Sequence, residues 1–337
     1  MGEKIIAHCS NITAFDVGKT AWNNPEIWQQ YPGSGWISYL DQYAKREGFQ
    51  LLSGLEALVE IKNKRIDPSD VYIVQEEENQ IGLRLYMAQA KRAVLYCLES
   101  PLFVPIFYDI LNLVRGEFPF QMLFGELGNI RAYFPSYDEE KDLQAPMPWE
   151  ERKGLSVMVS SNKHYRSMLQ NNDRLGLSET WDYALSHQLH DLRFQMIRHF
   201  RDEKKVMDLY GRGWADAPEI PAGQKIEVLR NYKYCFCIEN VQMPGYVTEK
   251  IIDALVAGCV PIYVGAPDIN TYLDDRVMVP IDPLLNDRLD PNQDPLSFCQ
   301  DLDRSQKYLG ECGGFRKFSY QSFARTVLDS VIKVMQS

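Results

Sequence analysis

The stretch of this chain with the most chemistry in it runs from Tyr232 to Pro267. An apolar, strand-like segment, Tyr234–Ile238, ends at Glu239-Asn240. A loop containing Pro244-Gly245 follows, and Tyr246-Val247-Thr248-Glu249-Lys250 then opens a helix. Thr248 has the side chain of an N-cap, and Glu249 sits where the helix dipole favours negative charge. A strand–loop–helix junction of this kind turns backbone N–H groups and positive partial charge outward, which suits a phosphate; Lys250 adds a full positive charge. Glu249 beside it could accept hydrogen bonds from paired sugar hydroxyls, as acidic residues do for ribose in other nucleotide sites. The combination points to a nucleoside diphosphate held without a glycine-rich fingerprint. Neither G-x-G-x-x-G nor G-x-x-x-x-G-K-[ST] occurs, which counts against dinucleotide dehydrogenases and P-loop enzymes. Taken singly, Thr248, Glu249 and Lys250 also fit a plain capped helix start, Asn240 a turn, and Tyr246 a packing aromatic.

A second chemical position lies in the first half, at Leu98-Glu99-Ser100-Pro101. A carboxylate directly after an apolar strand and before a Pro-initiated helix points into a ligand crevice rather than into bulk solvent. Glu126, in Phe124-Gly125-Glu126, is a further carboxylate at the end of a strand-like run. The run Glu76-Glu77-Glu78 is a third, and reads more simply as a solvated turn. The segment Pro32-Gly-Ser-Gly-Trp36 reads as a helix start capped by Ser34 or Gly35, or as a loop admitting close approach of a ligand. The five histidines (8, 164, 187, 190, 199) form no H-x-x-x-H or H-E-x-x-H pattern. His8 could line the crevice, and His187 with His190 read as surface or core groups. No clear Asp-x-Asp stands between strands, so no divalent metal is expected.

These residues need a scaffold, and the pattern supplies one. Short apolar runs alternate with helix-length amphipathic segments, the mark of an α/β chain with parallel sheets. In the first half the strand-like runs are Ile5–Cys9, Phe49–Leu52, Val71–Gln75, Ala93–Leu98 and Phe120–Phe124. The helix-like segments are Trp36–Glu47, Gly54–Lys64, Leu83–Arg92 and Leu102–Leu113. A Pro- and charge-rich passage, 135–154, reads as the linker. The pattern restarts with strand Leu155–Ser160, helix Glu179–Arg201, strands Val206–Tyr210 and Tyr234–Ile238, helix Thr248–Ala257, and strands Val260–Val264 and Val277–Ile281. An amphipathic helix, Tyr320–Met335, closes the chain and is expected to pack on its own domain rather than on a membrane. Two α/β domains should place a ligand in the cleft between them, outside the carboxyl ends of the strands.

With 337 residues, two domains are expected. The formal charge of −10 argues against broad nucleic-acid binding but leaves room for a few local cations facing a small phosphate-bearing ligand. No stretch reaches the ~20 uninterrupted apolar residues of a membrane span. The start lacks a signal-peptide core, and the sequon Asn11-Ile12-Thr13 would matter only in a secreted chain. The seven cysteines (9, 97, 235, 237, 259, 299, 312) are odd in number and mostly sit in apolar runs, so free buried thiols and a cytoplasmic location are expected.

Residues 232–267 resemble the donor-binding signature of the α-1,3/α-1,4-fucosyltransferases, glycosyltransferase family 10. The matching letters are Tyr232-Lys233-Tyr234, Ile238-Glu239-Asn240, Tyr246-Val247-Thr248-Glu249-Lys250, Ala254, Gly258, Val260-Pro261 and Gly265. The chain departs at Ile238, where the family prefers Phe, and at Gly245, where animal members carry Asp and bacterial ones tolerate Gly. Val159-Ser160-Ser161-Asn162 and Tyr210-Gly211-Arg212-Gly213 are similar to flanking family segments. Arg193 best fits the family's helix-heading Arg, with Arg198 a rival; as a plain helix cation Arg193 would simply face solvent.

The resemblance implies a soluble, bacterial-type member with a GT-B fold: two Rossmann-like domains whose parallel sheets face a central cleft. Residues 1–150 would be the acceptor side carrying the base, 151–320 the GDP-sugar domain, and 321–337 a C-terminal helix. It implies an inverting, metal-independent transfer of L-fucose from GDP-β-L-fucose to a hydroxyl of a glycan acceptor, with Glu99 as general base and Glu126 as second choice. Arg193, Lys250 and Tyr246 would meet the diphosphate, Glu249 the ribose, and Asn240 the nucleotide, with Thr248, Gly245 and Arg212 in the same site. No cofactor is implied, and peripheral membrane contact stays open. Another GDP-hexose as donor, or a sugar-nucleotide-binding protein without catalysis, are the alternatives.

Overall fold

The computed structural model describes residues 4–10, 33–131, 133–163, 179–203, 205–221, 223–280 and 313–337. His164, Cys299, Cys312 and the sequon at 11–13 lie outside them. The chain divides into two compact units: residues 1–99, 106–138 and 317–337 form the first, and 100–105 with 139–316 the second.

The first unit begins with β1 (Lys4–Cys9), α1 (Trp36–Arg46), β2 (Phe49–Ser53), α2 (Gly54–Lys62) and β3 (Val71–Glu76). Next come α3 (Gln80–Met87), β4 (Lys91–Tyr96), α4 (Pro105–Val114), β5 (Phe120–Leu123) and β6 (Ile130–Arg131). The six strands form one parallel sheet in the order β2-β1-β3-β4-β5-β6. Successive side chains of a strand point to opposite faces, and β1 uses both. Ile6 joins Trp36, Leu40 and Val74 on one face, while Ile5, Ala7 and Cys9 join Leu52, Leu58 and Ile73 on the other. A sheet covered on both faces needs near-continuous apolar strands, which is why these runs stand out in the sequence.

Helix starts follow capping chemistry, and this moves two expected elements. Asn79 Oδ1 accepts from the N–H groups of Ile81 and Gly82 and so begins α3 at Gln80, before the expected Leu83. That helix ends at Met87, freeing Lys91 and Arg92 to start β4. The next helix starts at Pro105 rather than after Pro101, because proline at the first helical position leaves no orphan N–H.

The second unit holds a short helix α5 (Glu139–Asp142), β7 (Gly154–Val159), α6 (Glu179–Ser186), α7 (His190–Met196) and β8 (Met207–Tyr210). It continues with α8 (Lys225–Leu229), β9 (Tyr232–Ile238), α9 (Glu249–Val256), β10 (Val260–Val264) and β11 (Val279–Pro280). Its parallel sheet has the order β11-β10-β9-β7-β8, so the strand leading to the Glu239-Asn240 turn is central. The continuous helix expected over Glu179–Arg201 is instead α6, a break at 187–189, α7 and a π-helical segment Ile197–Glu203.

The units divide at Asp138/Glu139 rather than at 150/151, and the passage 135–154 is not a free linker. Tyr137 bridges Ser319 and Asp138 accepts from Tyr39 and Gln321, tying these residues to the first unit. From Glu139 on, the chain belongs to the second unit. Arg230 Nη2 donates to the Asp142 carbonyl, and the buried Arg152 guanidinium donates to the carbonyls of Met147, Tyr232 and Ala257. The closing helix Tyr320–Gln336 packs on the first unit, where Phe323, Ala324, Val327, Leu328 and Val331 complete the core around Trp36 and Leu40. Its apolar stripe is covered by that core. No helix among the described residues is long and apolar enough to cross a membrane.

Candidate functional site

The junction between β9 and α9 is built around one buried carboxylate. Glu239, the residue after β9, is 0% exposed. Its Oε1 accepts from the Thr248 backbone N–H and hydroxyl, both at 2.9 Å, and its Oε2 from the same hydroxyl at 2.8 Å. Oε2 also accepts from Lys250 Nζ at 3.1 Å. Thr248 is the N-cap residue of α9 by position, but its hydroxyl serves Glu239 and makes no capping bond to the helix. The expectation that its amide faces a phosphate is therefore corrected: that N–H is already taken by a carboxylate of the chain. Glu239 was visible as a letter of the signature. Its signal as a charge was the carboxylate placed between a wholly apolar strand and a Thr-x-Lys helix start.

Lys250 Nζ also reaches Thr248 Oγ1 at 3.0 Å and Glu249 Oε1 at 3.4 Å, with its side chain 17% exposed and that of Glu249 28% exposed. Burial alone would push the Glu249 carboxyl up, but Lys250 and Lys225 outweigh it and hold the pKa down to about 2. Lys225 Nζ in turn pairs with the buried Asp253 on α9 at 2.8 Å.

Arg193 comes to the same place from α7. It is buried, and among the described residues its side-chain hydrogen bonds all run from Nη2, to Ile238 O (2.9 Å), Glu239 O (3.0 Å) and Asn240 Oδ1 (3.1 Å). The reading of Arg193 as a solvent-facing cation is thereby excluded. Burial lowers its pKa, opposed by Glu239, Tyr246 and Glu249, and a guanidinium keeps its proton regardless. Asn240 Nδ2 donates to the hydroxyl of buried Tyr246 at 3.3 Å, so Arg193, Asn240 and Tyr246 form one chain of contacts. Gly245 has φ +78°, which glycine adopts without strain, and its N–H donates to Asp268 Oδ1 at 2.7 Å.

The remaining candidates are dispersed. Arg198 lies on the π-helical segment, 81% exposed and paired with Glu203 at 3.2 Å. Arg212 is 84% exposed and 3.6 Å from Glu219. Neither reaches the Arg193–Lys250 group by any hydrogen bond or ion pair found among the described residues.

In the first unit, Glu99 is exposed three residues beyond the end of β4, and its carbonyl accepts from the Tyr108 hydroxyl at 2.9 Å. Glu126 is exposed in the turn after β5. The acidic run is not wholly solvated: Glu76 is half-buried and accepts from the Ser10 hydroxyl at 2.5 Å. His8 is a core group rather than a crevice lining. It is buried edge-on to Trp36 and stacked on Tyr96, with Nε2 2.8 Å from the Tyr96 hydroxyl. At 32–36, Gly35 is the N-cap position of α1 with no side-chain cap, and the Trp36 ring is buried in the core. His190 is buried, and His187 stacks on Tyr183. Cys9, Cys97, Cys235, Cys237 and Cys259 are buried.

Two Rossmann-like units with parallel sheets, one carrying an Arg–Asn–Tyr and Glu–Thr–Lys cluster at its central strand–helix junction, have the layout of the GT-B fold. A glycosyltransferase of Rickettsia africae ESF-5 shares the fold, with a TM-score of 0.53 over 100% of both chains at 10% identity. The family model for glycosyltransferase family 10 (fucosyltransferase), C-terminal part, matches residues 179–282, so the second unit is similar to that family over this stretch. A 45-residue stretch is 53% identical to the alpha-(1,3)-fucosyltransferase FucT of Helicobacter pylori, covering 13% of this chain and 9% of that one. Another, of 47 residues, is 40% identical to alpha-(1,3)-fucosyltransferase B of Drosophila melanogaster, covering 14% and 11%. The chain thus spans about a tenth of the length of these curated relatives. Arg193, Asn240, Gly245, Tyr246, Thr248, Glu249 and Lys250 fall inside the family match, whereas Glu99 and Glu126 fall outside it.

Proposed function

We propose that this chain is an inverting glycosyltransferase that moves L-fucose from GDP-β-L-fucose to a glycan hydroxyl, forming an α-fucoside, with α-1,3 attachment to a GlcNAc- or Glc-type sugar. The observation that carries the reading is the convergence of two cations, buried Arg193 and half-buried Lys250, on one strand–helix junction inside the family match. With Nη2 of Arg193 committed to the end of β9, its Nε and Nη1 are the donors offered to a diphosphate. Glu249, ionised at neutral pH, takes the ribose hydroxyls, and Asn240 and Tyr246 hold the nucleotide side of the site.

In a single in-line displacement the acceptor oxygen bonds to the anomeric carbon as the bond to the β-phosphate oxygen breaks. The acceptor proton passes to Glu99, and GDP leaves with the bonding pair. Fixed cations stabilise the charge that develops on the leaving group. The reading gives no step to a metal.

Mass spectrometry of products formed from GDP-fucose and an array of glycan acceptors tests it, with addition of one deoxyhexose expected. Preferential use of a different GDP-hexose would replace fucose as the donor. Nucleotide binding with neither transfer nor hydrolysis would make the chain a binding protein instead.

A further inference from the structure

Glu239 carries a charge that the reading above does not use. Its side chain is held on several sides. Oε1 and Oε2 take the Thr248 amide and hydroxyl and the Lys250 ammonium. Gly265 leaves the space for its stem, since a Cβ there would lie 2.6 Å from Glu239 Cγ. Its backbone is fixed as well: the N–H donates to Val264 O at 2.9 Å and the carbonyl accepts from Arg193 at 3.0 Å. One residue therefore touches both cations, Arg193 through its main chain and Lys250 through its carboxylate. A fully buried carboxylate is costly unless paired and hydrogen-bonded, and filling space alone does not call for a charge.

The ammonium of Lys250 has three N–H donors, and three acceptors surround it: Glu239 Oε2 at 3.1 Å, Thr248 Oγ1 at 3.0 Å and Glu249 Oε1 at 3.4 Å. A phosphate oxygen can be accommodated only by replacing one of them. Glu249 is the longest contact and its carboxylate is the more exposed of the two, whereas Glu239 has no solvent to turn towards.

We propose that Glu239 is a positioning residue whose buried carboxylate clamps Lys250 and Thr248, so that the third ammonium donor passes from Glu249 to a phosphate oxygen of the donor and frees the Glu249 carboxylate for sugar hydroxyls. This rests on the GDP-sugar reading of the site. It makes Glu239 act through Lys250, and a double-mutant cycle isolates such an effect.

GDP affinity is measured by calorimetry for the full chain, Glu239→Gln, Lys250→Ala and the double variant, with thermal melts alongside. Glu239→Gln and Lys250→Ala should each weaken GDP binding ~10-fold or more, the loss expected of a charge-assisted contact. The double variant should bind no more weakly than Lys250→Ala alone. Losses that multiply in the double variant, or an unchanged affinity in Glu239→Gln, overturn the proposal. Should Glu239→Gln fail to fold, Glu239→Asp keeps the charge but shortens its reach, and should show the same dependence on Lys250. A full chain with no affinity for GDP removes the donor reading and this inference together. One that binds GDP with a multiplicative cycle removes only the role of Glu239.

Discussion

At Lys250 burial and charge pull in opposite directions. Burial lowers its pKa, Glu239 and Glu249 raise it by more, and the net shift is upward, so the ammonium is charged throughout the neutral range. Glu249 is the mirror case, held down to about 2 and ionised over the same range. Lys250→Ala should therefore remove a full charge and weaken GDP binding roughly 10–100-fold by calorimetry; an unchanged affinity would sink the phosphate assignment. Glu99→Gln separates binding from chemistry. Turnover should fall about 10²–10⁴-fold while GDP affinity stays as it was, and normal turnover in this variant would remove Glu99 as the base. The types of these residues were legible in the sequence, since a Thr-Glu-Lys helix start is a local feature. The occupation of the Thr248 amide by Glu239 was not, because two residues nine apart met only after the loop 240–247 had folded back.

At the scale of elements, the break in the expected helix over 179–201 decides where Arg193 goes. Residues 187–189 leave the helix to pair with the loop after β9. Leu189 N donates to Asn240 O, Gln242 N donates to His187 O, and Gln188 bridges Val241. α7 then restarts against the end of β9, which puts the Arg193 guanidinium on three acceptors there. An amphipathic pattern does not show such a break, because apolar residues keep a helical spacing on both sides of it.

The other element-scale constraint is Gly265 after β10. An added Cβ would lie 2.3 Å from the Tyr263 hydroxyl and 2.6 Å from Glu239 Cγ. Gly265→Ala should lower stability by about 1–3 kcal/mol through overpacking and weaken GDP binding with it. Calorimetry and thermal melts showing neither change would mean that the junction tolerates movement.

At the scale of the molecule, the first unit is assembled from both ends of the chain, with Phe323 of the closing helix against Trp36 and Tyr96. His8 lies in this aromatic core, and burial pushes its pKa from the ordinary 6.5 down to about 4. The native state thus keeps His8 neutral while the unfolded chain takes up a proton. Its contribution to stability is complete above pH 6.5 and is lost as pH falls through 4. Urea unfolding at pH 7 and pH 4.5 should differ by about 2–3 kcal/mol on this account, and less in His8→Asn. Equal pH dependence in the two proteins would show that His8 is not the group responsible.

By itself the sequence determined the α/β class, eleven residues worth testing, and the strand–helix junction that most of them share. Those features rest on local periods, caps and dipoles, which neighbouring residues decide among themselves. The tertiary structure decided what each charge touches. It took Glu239 from an unassigned letter to the centre of the junction, drew Arg193 out of solvent, and left Arg198 and Arg212 on the surface. It also moved the division between the units to 138/139. A buried carboxylate and a buried guanidinium have to find partners wherever folding brings them, and those partners come from segments whose meeting no local pattern records.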